Sequence, residues 1–340
     1  MKFVKSRGKR TLEKVRNANE KLRETRGGGT MRKTMEQIVL EGQVAKCRSI
    51  EELYVLWELM QQMEEDPFGN TCYPELDQRN FHVDGIADPE HYDGTLYILK
   101  ETNMRKMIQK GETMPVASDI RADFLSGKSP SGRVEYLDYL TSMQKILWEE
   151  KHPGEECRLP GKKLREKAAV LYINKRGGKG AADEISMDYG QYYIEFIKKQ
   201  IRLLNPKTVV CCGEDLFRLI VMEVFQNKKQ KKNREIYMKW KDLVRGDVFF
   251  ADRDYRPVKE TKKDEAEVRV VRMWNPSYRV NNGQYLKEFK RRLSGEEENK
   301  QGEQWNMDRT VENLQPETNN EEKADIEEAD VKETDSEKME

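Results

Sequence analysis

Four short, nearly unbroken apolar runs divide the middle of this chain: TLYILKET (95–102), AAVLYIN (168–174), KTVVCCG (207–213) and EVRVVRMW (267–274). Runs of that length, rich in branched and aromatic side chains, read as strands covered on both faces. Between them the apolar positions change to a helical period. Residues 50–64 place Ile50, Leu53, Tyr54, Leu56, Trp57 and Met60 on one face, the pattern of a helix that covers a core. Residues 139–150, 187–206 and 214–225 repeat that rhythm, and Pro206 closes the middle one. Strands alternating with helices predict right-handed βαβ units. The expected fold is therefore a three-layer α/β/α architecture around a four-stranded parallel sheet. The domain is expected over 49–293, after a basic helical arm (1–48) broken at Gly27-Gly28-Gly29 and before an acidic, disordered tail (294–340).

Composition changes this picture mainly at the ends. The 340 residues carry 62 basic and 62 acidic side chains, but the two signs are segregated. Residues 1–46 hold 13 Lys/Arg against 5 Glu, and residues 296–340 hold 17 Asp/Glu against 5 Lys/Arg. One end suits an anion and the other repels one. Residues 226–245 are basic, with Tyr237 and Trp240 interleaved; they read either as a solvated helix or as a nucleic-acid surface. Five scattered cysteines without a CxxC spacing argue against a structural zinc or iron–sulfur site and for reduced thiols in a cytoplasm. No apolar run reaches the length of a membrane span, and the N-terminus lacks the apolar stretch of a secretory signal. A monomer without a cofactor is expected.

Candidate chemistry lies where the strands stop. The first ends in Lys100-Glu101-Thr102-Asn103. The second ends in Asn174-Lys175-Arg176-Gly177-Gly178-Lys179-Gly180. The third ends in Gly213, and the fourth in Asn275-Pro276-Ser277 with Arg279 close behind. In open α/β sheets the carboxyl edge is where ligands bind. Asparagine offers a donor and an acceptor together, suited to the edge of a base, and a glutamate can orient or deprotonate a water. Gly213 permits close approach. The glycine loop after the second strand matches neither GxGxxG nor a phosphate-binding loop ending in Lys-Ser/Thr, and a cationic lid fits it better. Plainer roles stand beside these. Glu101 can pair with a neighbouring cation, Asn174 and Asn103 can cap helices, and Cys211 and Cys212 can fill the core. His82, His91 and His152 read as structural or exposed. His82 and Asp84 are the unassigned residues expected nearest the pocket.

With these strand ends in order, the chain resembles the uracil-DNA glycosylase superfamily over roughly residues 80–292. The lead-in NFHVDGIADPEHYDG (80–94) is part of the resemblance. It implies a parallel four-stranded sheet between helices and hydrolysis of the N-glycosidic bond of a damaged base, usually uracil, flipped out of DNA. Glu101 falls on the first motif, which positions or activates water. Asn174 falls on the residue that reads the base, with Asn103 and Gly213 beside it. Asn275-Pro276-Ser277 falls on the second motif, in the Asn-Pro-Ser form of the mismatch-specific branch, with Asn275 gripping the leaving base. Lys175, Arg176, Lys179, Ser277 and Arg279 would hold phosphates of single- or double-stranded DNA. Two other classes compete: an inactive nucleic-acid-binding module on the same fold, and a hydrolase of another nucleotide-like substrate.

Overall fold

All four apolar runs form strands, and they lie side by side. The computed structural model describes residues 33–105, 109, 117–127, 135–179, 184–225, 247–258, 264–276 and 281–294. The strands are β1 (Phe81–Val83), β2 (Gly85–Ile86), β3 (Thr95–Asn103), β4 (Ala117–Asp119), β5 (Ala168–Gly178), β6 (Thr208–Cys212), β7 (Val248–Ala251) and β8 (Val268–Met273). The main sheet has the order β2-β5-β3-β6-β8-β7. Its four central strands are parallel, as expected, but it has six strands rather than four. The additions are antiparallel edges, β2 on β5 and β7 on β8. β2 is two residues long, too short for any periodic signal. β7 alternates half-buried and buried positions, as an edge strand does. A second small sheet pairs β1 with β4 in parallel.

Helices cover both faces. They are α1 (Met35–Val44), α2 (Ile50–Gln62), α3 (Ile120–Ser126), α4 (Glu135–Lys151), α5 (Gly161–Glu166), α6 (Ile185–Tyr192), α7 (Ile194–Leu204), α8 (Glu214–Glu223) and α9 (Asn282–Ser294). On one face, Leu96, Ile98, Leu171, Ile173, Val209 and Val270 pack with Trp57 of α2, Phe196 of α7 and Phe217 of α8. On the other, Tyr97, Leu99, Val170, Val210 and Val271 pack with Leu140 and Leu147 of α4 and Phe289 of α9. Successive residues of each strand serve opposite cores, so every strand must be apolar throughout.

Two boundaries differ from expectation. The helix expected over 187–206 is two, broken at Tyr193 (φ −97°, ψ 21°), whose hydroxyl donates to buried Glu64 and whose ring packs on Trp57. The body also begins before residue 49. Thr34 caps α1 with a capping box closed by Gln37, and α1 sends Val44 into the core beside Cys47. Residues 1–32 and the acidic tail from 295 lie outside the described residues.

Candidate functional site

The chain passes from β3 outward to β5, then crosses to β6 on the other side of β3 and continues to β8. The connections thus leave in opposite directions between β3 and β6. In sheets of this kind that switch point opens a crevice at the carboxyl edge. Glu101 stands at the end of β3 and Gly213 just past β6.

The register here is irregular, and the irregularity sorts the candidate residues. Glu101 pairs with Asn174, and Asn103 pairs with Gly178. Thr102 alone therefore lies opposite Lys175, Arg176 and Gly177. β5 bulges at these three residues and closes the bulge with Gly177 at φ +77°. Asn174 braces it from within. Its Oδ1 accepts the Arg176 amide (3.0 Å), and its Nδ2 donates to the Gly177 carbonyl (3.0 Å) and to Glu101 Oε2 (3.2 Å). Asn174 is fully buried. Both ends of its amide serve the protein, so it positions Glu101 rather than presenting an edge to a base.

Within the bulge the two cations turn inward, which corrects the expectation that they hold phosphates. Lys175 and Arg176 are both 0% exposed. Lys175 pairs with Asp84 and lies 5.0 Å above the Trp57 ring. Burial pushes its ammonium below the ordinary lysine range, and Asp84 opposes the shift. Asp84 also accepts from Tyr54 (2.7 Å), Gln200 (2.6 Å) and the Tyr172 amide (2.7 Å). It belongs to the interior, not to a pocket. Arg176 pairs with Glu64 (3.1 Å) and donates to Thr71 Oγ1 (2.9 Å) and the Gln78 carbonyl (2.8 Å). Burial raises the Glu64 carboxyl, and Arg176 pulls it back. His82 is buried beside Gly177, and desolvation lowers its imidazole to about 4.

Glu101 remains half-buried at the edge. Its carboxylate accepts from Tyr73 (3.2 Å), from Asn174 and from Ser186 near the start of α6. Those three bonds engage at least three of about four lone pairs and hold the carboxylate in one orientation. Gly178 forms the wall behind it, since a Cβ there would overlap the carboxylate. Nothing in the periodic pattern points to Tyr73 or Ser186; only the fold brings them to Glu101.

The remaining candidates divide. Asn103 Oδ1 accepts from the Arg105 amide (3.1 Å), a local turn bond that favours the capping role. Gly213, at φ +149°, accepts the Phe217 amide and starts α8. Ile98 pairs with Cys211, and Cys212 pairs with Met273. Asn275 follows the end of β8, so it lies at the same carboxyl edge of the sheet as Glu101. Asn275 is half-buried and Pro276 buried behind it. Lys179 is half-buried, pairs with Glu75 and lies 5.6 Å from the Tyr73 ring. Ser277, Arg279 and the basic stretch 226–245 lie outside the described residues. All five cysteines are buried thiols, Cys211 and Cys212 within β6.

A cavity of about 300 Å³ opens elsewhere, lined by Asn205, Lys207, Arg253, Tyr255 and Glu267. It adjoins the starts of β6 and β8, at the edge opposite Glu101. Among the described residues, no helix is long and apolar enough to cross a membrane. No protein-family model matches the chain, and no curated protein matches it.

Proposed function

We propose that this protein hydrolyses the N-glycosidic bond of uracil or a related damaged base in DNA, at the carboxyl edge of the sheet. The observation that carries this reading is the Glu101 carboxylate, held by Tyr73, Asn174 and Ser186 at the switch point, with Asn275 just past the end of β8 on the same edge. Glycosidic cleavage passes through an oxocarbenium-like state while negative charge moves onto the base. A fixed carboxylate offsets the sugar's charge and orients the attacking water. An amide donor at Asn275 stabilises the departing base. Asn275 cannot become a cation, so the reaction is slower than with a histidine in its place. The resemblance in the strand-end motifs adds the choice of DNA as substrate.

A second reading, a nucleic-acid-binding module without excision, is favoured by the burial of Asn174, whose amide is taken up by the protein and not offered to a base. Excision assays on uracil, hypoxanthine and mismatched duplexes separate the two. On the first reading abasic product forms, and Glu101→Ala and Asn275→Ala each slow it by about 10²-fold while DNA affinity holds. Salt-sensitive DNA binding with no product from any lesion would establish the second. Full rates in both variants would remove Glu101 and Asn275 from the site.

A further inference from the structure

At the opposite edge of the sheet, three side chains from two segments face one another. Asp88 and His91 lie in the β2–β3 connection. A tight turn holds them: the His91 amide donates to the Asp88 carbonyl (3.3 Å), and the Glu90 amide donates to Asp88 Oδ1 (3.1 Å). Asp88 Oδ2 then meets His91 Nδ1 at 2.9 Å. Glu166, the last residue of α5, comes from the other side, with its side chain 7% exposed. One ligand-type atom from each of the three lies within 4.8 Å of the others.

We propose that Asp88, His91 and Glu166 bind one divalent first-row transition-metal cation, for which zinc is the natural probe. Two carboxylates converging so closely repel each other unless positive charge stands between them. Glu166 Oε2 is shut off from solvent and answered by an ammonium. That partner, Lys163 Nζ at 2.8 Å, sits on a side chain 53% exposed that can swing into water and give way to a cation. The donors are one imidazole nitrogen and two carboxylate oxygens. That mixed set suits zinc or manganese; calcium and magnesium prefer oxygen alone. Three atoms no more than 4.8 Å apart share a centre at most about 2.8 Å from each, against metal–ligand bonds of about 2.0–2.2 Å, so small rotations close the shell. The cation would pin the β2–β3 connection to the α5–β5 junction. The Ala87 and Asp93 amides already donate there, to the carbonyls of Ala168 and Lys167. This site is independent of Glu101 and of any excision activity.

Zinc, magnesium and calcium titrations of the full chain, stripped of metal by a chelator and dialysed, test this by calorimetry and thermal melting. One zinc per chain is expected, with a rise in Tm that magnesium and calcium do not reproduce. His91→Ala and Asp88→Asn alter half-buried or exposed side chains and so leave folding intact. Each should weaken zinc by more than about tenfold, since each removes one of three ligands. Lys163→Met should bind zinc as tightly or more tightly, because a competing ammonium is gone. Absence of stoichiometric zinc binding would overturn the proposal. Affinity unchanged in both ligand variants, or weakened in Lys163→Met, would overturn it equally.

Discussion

Asp84 and Glu101 are carboxylates that each collect several hydrogen-bond donors within a few residues of the same bulge, yet the two clamps serve different ends. Asp84 is fully buried and meets a cation, Lys175, together with Tyr54, Gln200 and the Tyr172 amide. Glu101 is half-buried, and its partners include three neutral donors, Tyr73, Asn174 and Ser186. A buried ion pair of the first kind is poor at chemistry because its charge is already answered. Its value lies in what breaking it would cost. A half-buried carboxylate at the open edge of the sheet can still be reached by a ligand, as Asp84 cannot. Polarity and charge near a strand end therefore do not by themselves mark a site. The exposure decides.

The largest effect should come from breaking the buried clamp. Asp84→Ala leaves Lys175 without its counter-ion and should destabilise the fold by about 3–5 kcal/mol in urea denaturation, whereas Glu101→Gln should cost under about 1.5 kcal/mol. Equal losses would erase the contrast. Acid should act next, through His82. Its imidazole stays neutral in the fold down to about 4, while the unfolded chain protonates it near 6.5. The unfolded state thus binds more protons in that interval, and stability falls as pH drops from about 6.5 to about 4, by at most about 3 kcal/mol. His82→Gln should flatten this part of the pH–stability curve. Gly178→Ala should come third. Its methyl overlaps the Glu101 carboxylate, so the clamp must shift, at about 1–3 kcal/mol, with any excision reduced alongside. Smallest are Ser186→Ala and Tyr73→Phe, each removing one bond to Glu101 for about 0.5–1.5 kcal/mol. A loss from either that matched Asp84→Ala would show that the edge clamp is structural after all.

The central strands were legible because burial on both faces leaves a nearly unbroken apolar run such as AAVLYIN or KTVVCCG. The edge strands were not. Gly85–Ile86 is too short to show a period, and Val248–Ala251 is half-covered. Glu101 was legible as a polar residue at a strand end. The inward turn of Lys175 and Arg176 was not, because it depends on the three-residue bulge and on Glu64 and Asp84, which lie far back in the chain. Tyr73 and Ser186 carry no local signal, since only the closed fold brings them to Glu101. Asn174 looked identical as a base reader and as an internal brace. Its two bonds to the bulge backbone distinguish them.

The bulge also bears on how the chain finds its register. Lys175 reaches Asp84 across 91 residues and Arg176 reaches Glu64 across 112, so neither contact can help until long loops have closed. Late in assembly, however, they act as a proofreading step. A slip of one residue between β3 and β5 would carry the ammonium into the guanidinium's nest and the guanidinium out of it, burying two unmatched charges. An apolar strand as uniform as β5 has little else to distinguish one alignment from the next. Its two adjacent cations make the native alignment the only one in which both buried charges are matched.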